Sequence, residues 1–221
     1  MDKSKIVLIT GGNKGIGFET ARQLGKMGYE ILIGSRNEKR GLEAVTLLEK
    51  EDIRAKTVVL DVTNPSSIHS VVEQIEQEHG LLDILINNAG VFMEGNLPPS
   101  ELELSAFKGT YETNIFGVFS VTKAMLPLLR NSASGRIVNL SSGLGSLTLN
   151  SDSSSEFYNV NSLAYNSSKT VVNALTVFFA KELRDSPIKI NSVCPGFTAT
   201  DLNGNSGYRS VEQAASIVVK L

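Results

Sequence analysis

The sequence predicts an α/β protein built on a doubly wound parallel sheet, with helices packed on both faces. Three observations carry this reading. Short apolar β-type runs alternate with helical patterns along the whole chain, as repeated β-α units do. Several of the runs, such as Ile31-Leu-Ile33 and Ile84-Leu-Ile86, are apolar at every position, the mark of strands covered on both faces. The first run passes straight into a glycine turn and then a helix, in the segment Lys5-Ile-Val-Leu-Ile-Thr-Gly-Gly-Asn-Lys-Gly-Ile-Gly17.

Taken in order, the strands are expected near residues 5–10, 30–34, 56–60, 82–87, 136–140 and 188–194. The first feeds the glycine turn. The second and fourth contain the two fully apolar triplets. The third ends at Leu60-Asp-Val62, the fifth at Asn139-Leu-Ser-Ser142, and the sixth runs into Cys194-Pro-Gly196. Helices are expected between them, near 15–28, 37–51, 65–79, 100–130, 164–185 and 210–220. The stretch from Ser141 to Ser162, rich in Ser, Asn and Gly, is long for a strand-to-helix connection. No linker or repeat suggests a second unit, so residues 1–221 are expected to form one domain.

Composition narrows the function. The 221 residues are 41% apolar and 20% charged, ordinary for a compact globular protein with a sizeable core. The net charge is -2 with both signs interspersed, so neither a nucleic acid nor a membrane surface is expected as partner. No apolar run reaches membrane-spanning length, and since Met1-Asp-Lys-Ser-Lys5 leads directly into the first strand, no signal peptide is expected. The one cysteine, Cys194, excludes an internal disulfide, which suits a cytoplasmic protein. Histidine occurs only at positions 69 and 79, so no metal site is expected.

The glycine turn points to chemistry. Gly11, Gly15 and Gly17 are spaced Gly-x-x-x-Gly-x-Gly. Glycine there permits positive φ and close approach of backbone to a ligand. The helix N-terminus that follows offers free N–H groups and a positive dipole end to a phosphate. The turn therefore reads as a dinucleotide-binding site.

Further motifs sit at the later strand ends. Asn87-Asn-Ala-Gly90 follows the fourth strand and Asn139-Leu-Ser-Ser142 the fifth. Tyr165-Asn-Ser-Ser-Lys169 opens the next helix, and Pro195-Gly-Phe-Thr-Ala-Thr200 follows the sixth strand. With Thr10-Gly-Gly-Asn-Lys-Gly-Ile-Gly17, this series resembles the short-chain dehydrogenase/reductase family over essentially the whole chain. Thr200-Asp-Leu-Asn203, with Gly207 and Ser210-Val-Glu212 after it, resembles the NADPH-dependent carbonyl reductases within that family.

The resemblance implies a Rossmann fold and a set of roles. Tyr165 and Lys169, at i and i+4, share a helix face and can reach one ligand. A free phenol titrates near pH 10. The neighbouring ammonium is expected to lower that value and make Tyr165 the acid for carbonyl reduction. Ser142 is expected to hold the substrate oxygen, with Ser141 as the alternative that bonds only nearby backbone. Asn114 is expected at a kink in the long helix, on a water path to Lys169. The alternative is a polar residue on the solvent face. For the cofactor, the resemblance implies Gly11, Asn13, Lys14, Gly15, Ile16 and Gly17 at the turn. It adds Asp61 and Val62 at the adenine, Asn88, Ala89 and Gly90 along the ribose, and Pro195, Gly196, Thr198 and Thr200 at the nicotinamide, with Tyr165 and Lys169 also in contact. Asp61 has a second reading, as the start of a turn before Asn64-Pro65. Cys194 is expected to be a small buried residue, since no histidine accompanies it.

The second strand ends Ile33-Gly-Ser-Arg-Asn37, with no acid before Glu38 to bond ribose hydroxyls. Arg36 and Lys14 supply cations suited to a 2′-phosphate, so NADPH is expected over NADH. The expected activity is reduction of a small-molecule ketone or aldehyde. The alternatives are a 3-oxoacyl-thioester reductase, a hydroxysteroid-type dehydrogenase, or a dinucleotide-sensing binding protein without activity.

Two features depart from the family. Ser142 and Tyr165 are about ten residues further apart than usual. The extra residues, around Leu147 to Asn161, are expected over the substrate side or as a surface loop. The insertion favours a monomer but leaves a homo-oligomer open. Family members usually continue into a seventh strand; either the given sequence stops short of it, or the sixth strand is left as an exposed sheet edge.

Overall fold

The computed structural model describes residues 4–220. Six parallel strands form one sheet: β1 (Ile6–Thr10), β2 (Glu30–Ser35), β3 (Ala55–Val59), β4 (Ile84–Asn87), β5 (Arg136–Leu140) and β6 (Lys189–Val193). Their order across the sheet is β3-β2-β1-β4-β5-β6, all neighbours parallel. The chain builds outward from β1 in one direction and, from β4, in the other. Ligands bind at such a reversal, beyond the carboxyl ends of the strands.

The fully apolar strands are explained by two cores. Leu8, Leu32, Leu85 and Ile137 face α3 (Pro65–Glu78) and α5 (Val118–Arg130). Val7, Ile9, Ile31, Ile33, Ile86 and Val138 join residues of α1 (Gly15–Lys26), α2 (Glu38–Glu49) and α8 (Val211–Val218) on the other side. Successive strand residues point to opposite faces, so both faces must be apolar. Each fully buried Leu or Ile contributes roughly 1.5–3 kcal/mol. Helix starts follow local capping. Asn37 accepts from Arg40 N at the head of α2, and Asn64 accepts from Ser66 N and Ser67 N at the head of α3, with Pro65 in the first turn.

Two expectations need correction or refinement. The helix foreseen over 100–130 is three pieces: α4 (Leu104–Tyr111), a π-helical segment Glu112–Gly117, and α5. The widened turn surrounds Asn114, whose side chain bonds backbone outside the helix. The Ser141–Ser162 connection contains a short helix, α6 (Leu147–Ser151), where Ser146 Oγ accepts from Leu149 N. The helix α7 runs Leu163–Glu182. Among the described residues β6 pairs only with β5 and so lies at a sheet edge. No helix among them is long and apolar enough to cross a membrane, and no group of three or more His, Cys, Asp or Glu is placed to hold a metal.

Candidate active site

The glycine turn closes around the end of β1. Gly11 and Gly15 have φ of +61° and +57°, the region that disfavours a side chain. Unlike α2 and α3, α1 has no side-chain cap, and its first turn carries no acid. Its leading N–H groups and positive dipole end are left for an anionic ligand. Gly17 serves packing instead: a β-carbon there would lie 2.4 Å from Asn88 Nδ2.

Asn88 braces this turn. Its Nδ2 donates to Thr10 O (2.9 Å) and Gly11 O (3.0 Å). Thr10 Oγ1 in turn accepts from Asn88 N (3.0 Å) and Ala89 N (2.9 Å). The Asn88 amide is thus engaged by the turn. Asn87 is buried, donating to Thr122 Oγ1 and Asn139 Oδ1, while Asn139 donates to Thr176 Oγ1. This chain of amides ties β4 and β5 to α5 and α7.

Beside the turn lies a cleft of about 410 Å³ lined by Asn13, Lys14, Phe18, Arg40, Glu43 and Asp201 among others, so two acids face it along with two cations. Lys14 makes an exposed 2.8 Å ion pair across it with Asp201, whose carboxyl that contact holds below its usual value. Arg36 is exposed at the end of β2 and is not part of this lining. Arg40, in the first turn of α2, is the second cation facing the cleft. Sequence reading passed over it, although it stands four residues after Arg36. Ile16 packs partly buried against the core. Asp61 Oδ1 accepts from Thr63 N (2.9 Å) and Thr63 Oγ1 (2.7 Å), so the turn reading holds for that oxygen. Val62 is buried against the position of Gly117 in the π segment. Across the cleft, Thr200 Cγ2 is 3.6 Å from where a Gly15 β-carbon would sit. The preceding Pro195–Thr198 segment is held by Arg209, which donates to Pro195 O (3.3 Å) and packs on Gly196 (φ +80°). Thr198 is buried, its hydroxyl donating to Gly196 O (3.1 Å).

The candidate reaction centre gathers where β4 and β5 end against α7 and the π segment. Asn114 is buried. Its Oδ1 accepts from Val91 N (2.8 Å), and its Nδ2 donates to Val91 O (3.0 Å) and Ser168 Oγ (3.1 Å). Buried Lys169 donates to Leu140 O (2.8 Å) and lies 5.4 Å from the Tyr165 ring centroid. A β-carbon on Gly90 would sit 3.5 Å from Asn114 Oδ1 and 3.9 Å from Lys169 Nζ, so these three positions converge. The two serines separate clearly. Ser141 is buried and donates to Asn173 Oδ1 (2.7 Å). Ser142 is partly exposed, and its oxygen accepts from Leu144 N (3.2 Å), which leaves its hydroxyl proton free to donate. Phe92 meets the Tyr165 ring edge-on at 5.5 Å, and Phe157 packs at Gly143 beside Ser142.

Electrostatics overturn one expectation. Burial pushes the Tyr165 phenol up to about 12 rather than down, and nearby Cys194 adds to the rise. Burial likewise pulls Lys169 down to about 8, with Cys194 offsetting part of the fall. Desolvation of both groups outweighs the attraction of an ammonium for a phenolate. Cys194 itself is exposed, not buried: β6 ends at Val193, and the thiol accepts from Gly143 N (3.1 Å) beside the site.

Gly145 sets the spacing between Ser142 and α7. It is buried, and a β-carbon there would lie 2.7 Å from Lys169 C and 2.9 Å from Lys169 O. Gly145→Ala must therefore push the Ser142 turn off the helix. The expected result is a stability loss of ~1–3 kcal/mol and a fall in turnover exceeding any fall in cofactor affinity. Denaturant unfolding and steady-state kinetics check this; an unperturbed variant would mean the turn yields freely.

The arrangement is shared with known proteins. The short chain dehydrogenase family model matches residues 5–209. The chain is 36% identical to short-chain dehydrogenase anuI of Penicillium roqueforti (strain FM164), over 97% of this chain and 87% of that protein. It is 34% identical to a (+)-neomenthol dehydrogenase of Arabidopsis thaliana, over 98% and 90% respectively. The NADPH-bound carbonyl reductase from chicken fatty liver superposes with a TM-score of 0.87 at 26% identity, covering 99% of this chain and 90% of that one. With the glycine turn, the Tyr165/Lys169 pair and the parallel sheet in their places, the chain belongs to the short-chain dehydrogenase family.

Proposed function

We propose that this protein is an NADPH-dependent reductase that converts a ketone or aldehyde to an alcohol. The observation that carries it is the convergence of Asn114, Ser142, Tyr165 and Lys169 beside an uncapped helix N-terminus, with Lys14 and Arg40 among the residues lining the adjoining cleft. The residues fit a dinucleotide. The free N–H groups of α1 suit its pyrophosphate, Lys14 and Arg40 with Arg36 nearby suit a 2′-phosphate, and Gly90 leaves room beside Lys169. The relatives point the same way, one a neomenthol dehydrogenase and another a carbonyl reductase bound to NADPH.

When bound, the dihydronicotinamide supplies the hydride. The chain's own residues orient the carbonyl and supply the proton. Ser142 donates a hydrogen bond from its free hydroxyl to the carbonyl oxygen and keeps its proton. Tyr165, protonated throughout the neutral range because burial raises its pKa, gives its proton to that oxygen as negative charge develops. Lys169, largely an ammonium at neutral pH, stabilises the phenolate left behind and serves to return its proton. Asn114 holds the π segment and the Val91 backbone against α7.

The test is NADPH oxidation with a panel of ketones, quinones and aldehydes, NADH run in parallel. No turnover with any carbonyl would overturn the proposal. Removing Lys14 and Arg36 together should weaken NADPH binding by about 2–4 kcal/mol, allowing for solvent exposure. Arg40→Ala should weaken it in the same direction. NADH binding should barely change in either variant, and equal losses for both cofactors by titration would show that these cations do not read the 2′-phosphate.

We further propose a cytoplasmic monomer. Lys123 and Lys181 lie over the Phe119 and Phe178 rings, at 6.0 and 5.0 Å, and so partly cover the exposed apolar face of α5 and α7. Sedimentation of the purified chain tests the oligomeric state.

A further inference from the structure

We propose that Glu94 is a positioning residue for Tyr165, capping α7 from the loop after β4 and so setting where the phenol stands. The proposal rests on the reductase reading above. The helix that carries Tyr165 has no cap of its own. Ser162, at its N-cap position, makes no side-chain cap bond, and its hydroxyl donates to Gly95 O (3.4 Å) instead. The second and third N–H groups of the helix, those an N-cap side chain ordinarily takes, go to Glu94. Its Oε2 accepts from Ala164 N (3.0 Å) and its Oε1 from Tyr165 N (2.6 Å). One carboxylate thus grips the backbone of the proton donor with both oxygens, across some 70 residues of sequence. Negative charge at a helix N-terminus is favourable, which strengthens the grip.

The loop that supplies Glu94 is anchored on both sides. At its start, Val91 exchanges two hydrogen bonds with Asn114. At its end, Leu97 N donates to Asn161 O (3.1 Å), and Asn161 N donates to Asn96 Oδ1 (2.5 Å). Between these anchors, Phe92 touches the Tyr165 ring. The segment 91–97 therefore spans from the Asn114 turn to the head of α7, and holds Tyr165 by backbone and ring together. Proton transfer tolerates little displacement: a misplacement of about 1 Å costs on the order of 100-fold. Loss of the cap should appear in the chemical step and not in cofactor binding, because the glycine turn and Arg40 are remote from it.

The experiment uses the full chain with NADPH and a ketone it reduces. In Glu94→Ala, kcat should fall about 10- to 100-fold, with KM for the ketone and Kd for NADPH within about 3-fold of wild type. Glu94→Gln retains one acceptor of the two and should fall between wild type and Glu94→Ala; it also keeps the test alive if the alanine variant folds poorly. Asn64→Ala removes a cap from α3, away from the reaction centre, and should lower Tm with kcat unchanged. Hydrogen exchange at Ala164 N and Tyr165 N should accelerate in the Glu94 variants. Unchanged kcat in Glu94→Ala overturns the proposal. So does a kcat loss accompanied by equal loss of NADPH affinity, or one matched by Asn64→Ala, since either marks general damage. A wild-type chain inactive on every carbonyl overturns the reductase reading itself, and is told apart because no variant is then needed to see it.

Discussion

Tyr165→Phe should leave NADPH binding near wild type and cut turnover by roughly 10²–10⁴-fold, the range for loss of a general acid. The ring would keep its edge contact with Phe92 at the head of α7, so the fold and the cofactor cleft should be undisturbed. Only the hydroxyl is removed, and with it the proton that the raised pKa keeps in place at neutral pH. Pre-steady-state measurement of NADPH oxidation separates this from slow product release. A variant with near wild-type kcat would move the acid elsewhere, with Ser142 the first residue to examine.

Lys169→Met should have the second-largest effect, lowering turnover by on the order of 100-fold, as removal of one charge-stabilising donor does. It also carries a signature in stability. The Lys169 pKa in the fold, about 8, lies below its ordinary 10.5. Between those values the unfolded chain binds more protons than the folded one, so stability rises with pH across that window. Below about pH 8 both states hold the proton and the term is constant. The unfolding free energy of wild type minus that of Lys169→Met should therefore climb by about 2 kcal/mol between pH 7 and pH 9.5. Tyr165 is present in both proteins, so its own titration largely drops out of this difference. Parallel stability curves for the two proteins would show that burial does not perturb this lysine.

Much of the site was legible because the fold places it at strand ends, and strand ends can be read from apolar runs. The glycine turn, Asn88–Gly90, Ser142, the Tyr165/Lys169 pair and Pro195–Thr200 all follow a strand or open a helix. The Asn114 kink was legible because asparagine is a poor residue inside a helix. The expected pKa of Tyr165 was wrong in direction for a definite reason. A nearby lysine can be inferred from i, i+4 spacing, but desolvation depends on every atom packed around the pair. Cys194 failed in the same way: its place after β6 was clear, its exposure was not.

The amino-acid sequence by itself determined the alternation of strands and helices, the apolar two-faced sheet, and the residue types of the candidate site. Those are local properties: periodicity, turn chemistry, and the order of motifs along the chain. Only the tertiary structure decided which serine is free to donate, that Lys14 is paired with Asp201, that Arg40 faces the cleft, and that Glu94 caps the helix of Tyr165. Each depends on a partner tens of residues away, or on which way a side chain points across a packed interface. Hydrogen bonds and ion pairs act over about 3 Å, and which groups come that close is settled only when the sheet and its helices have closed on one another.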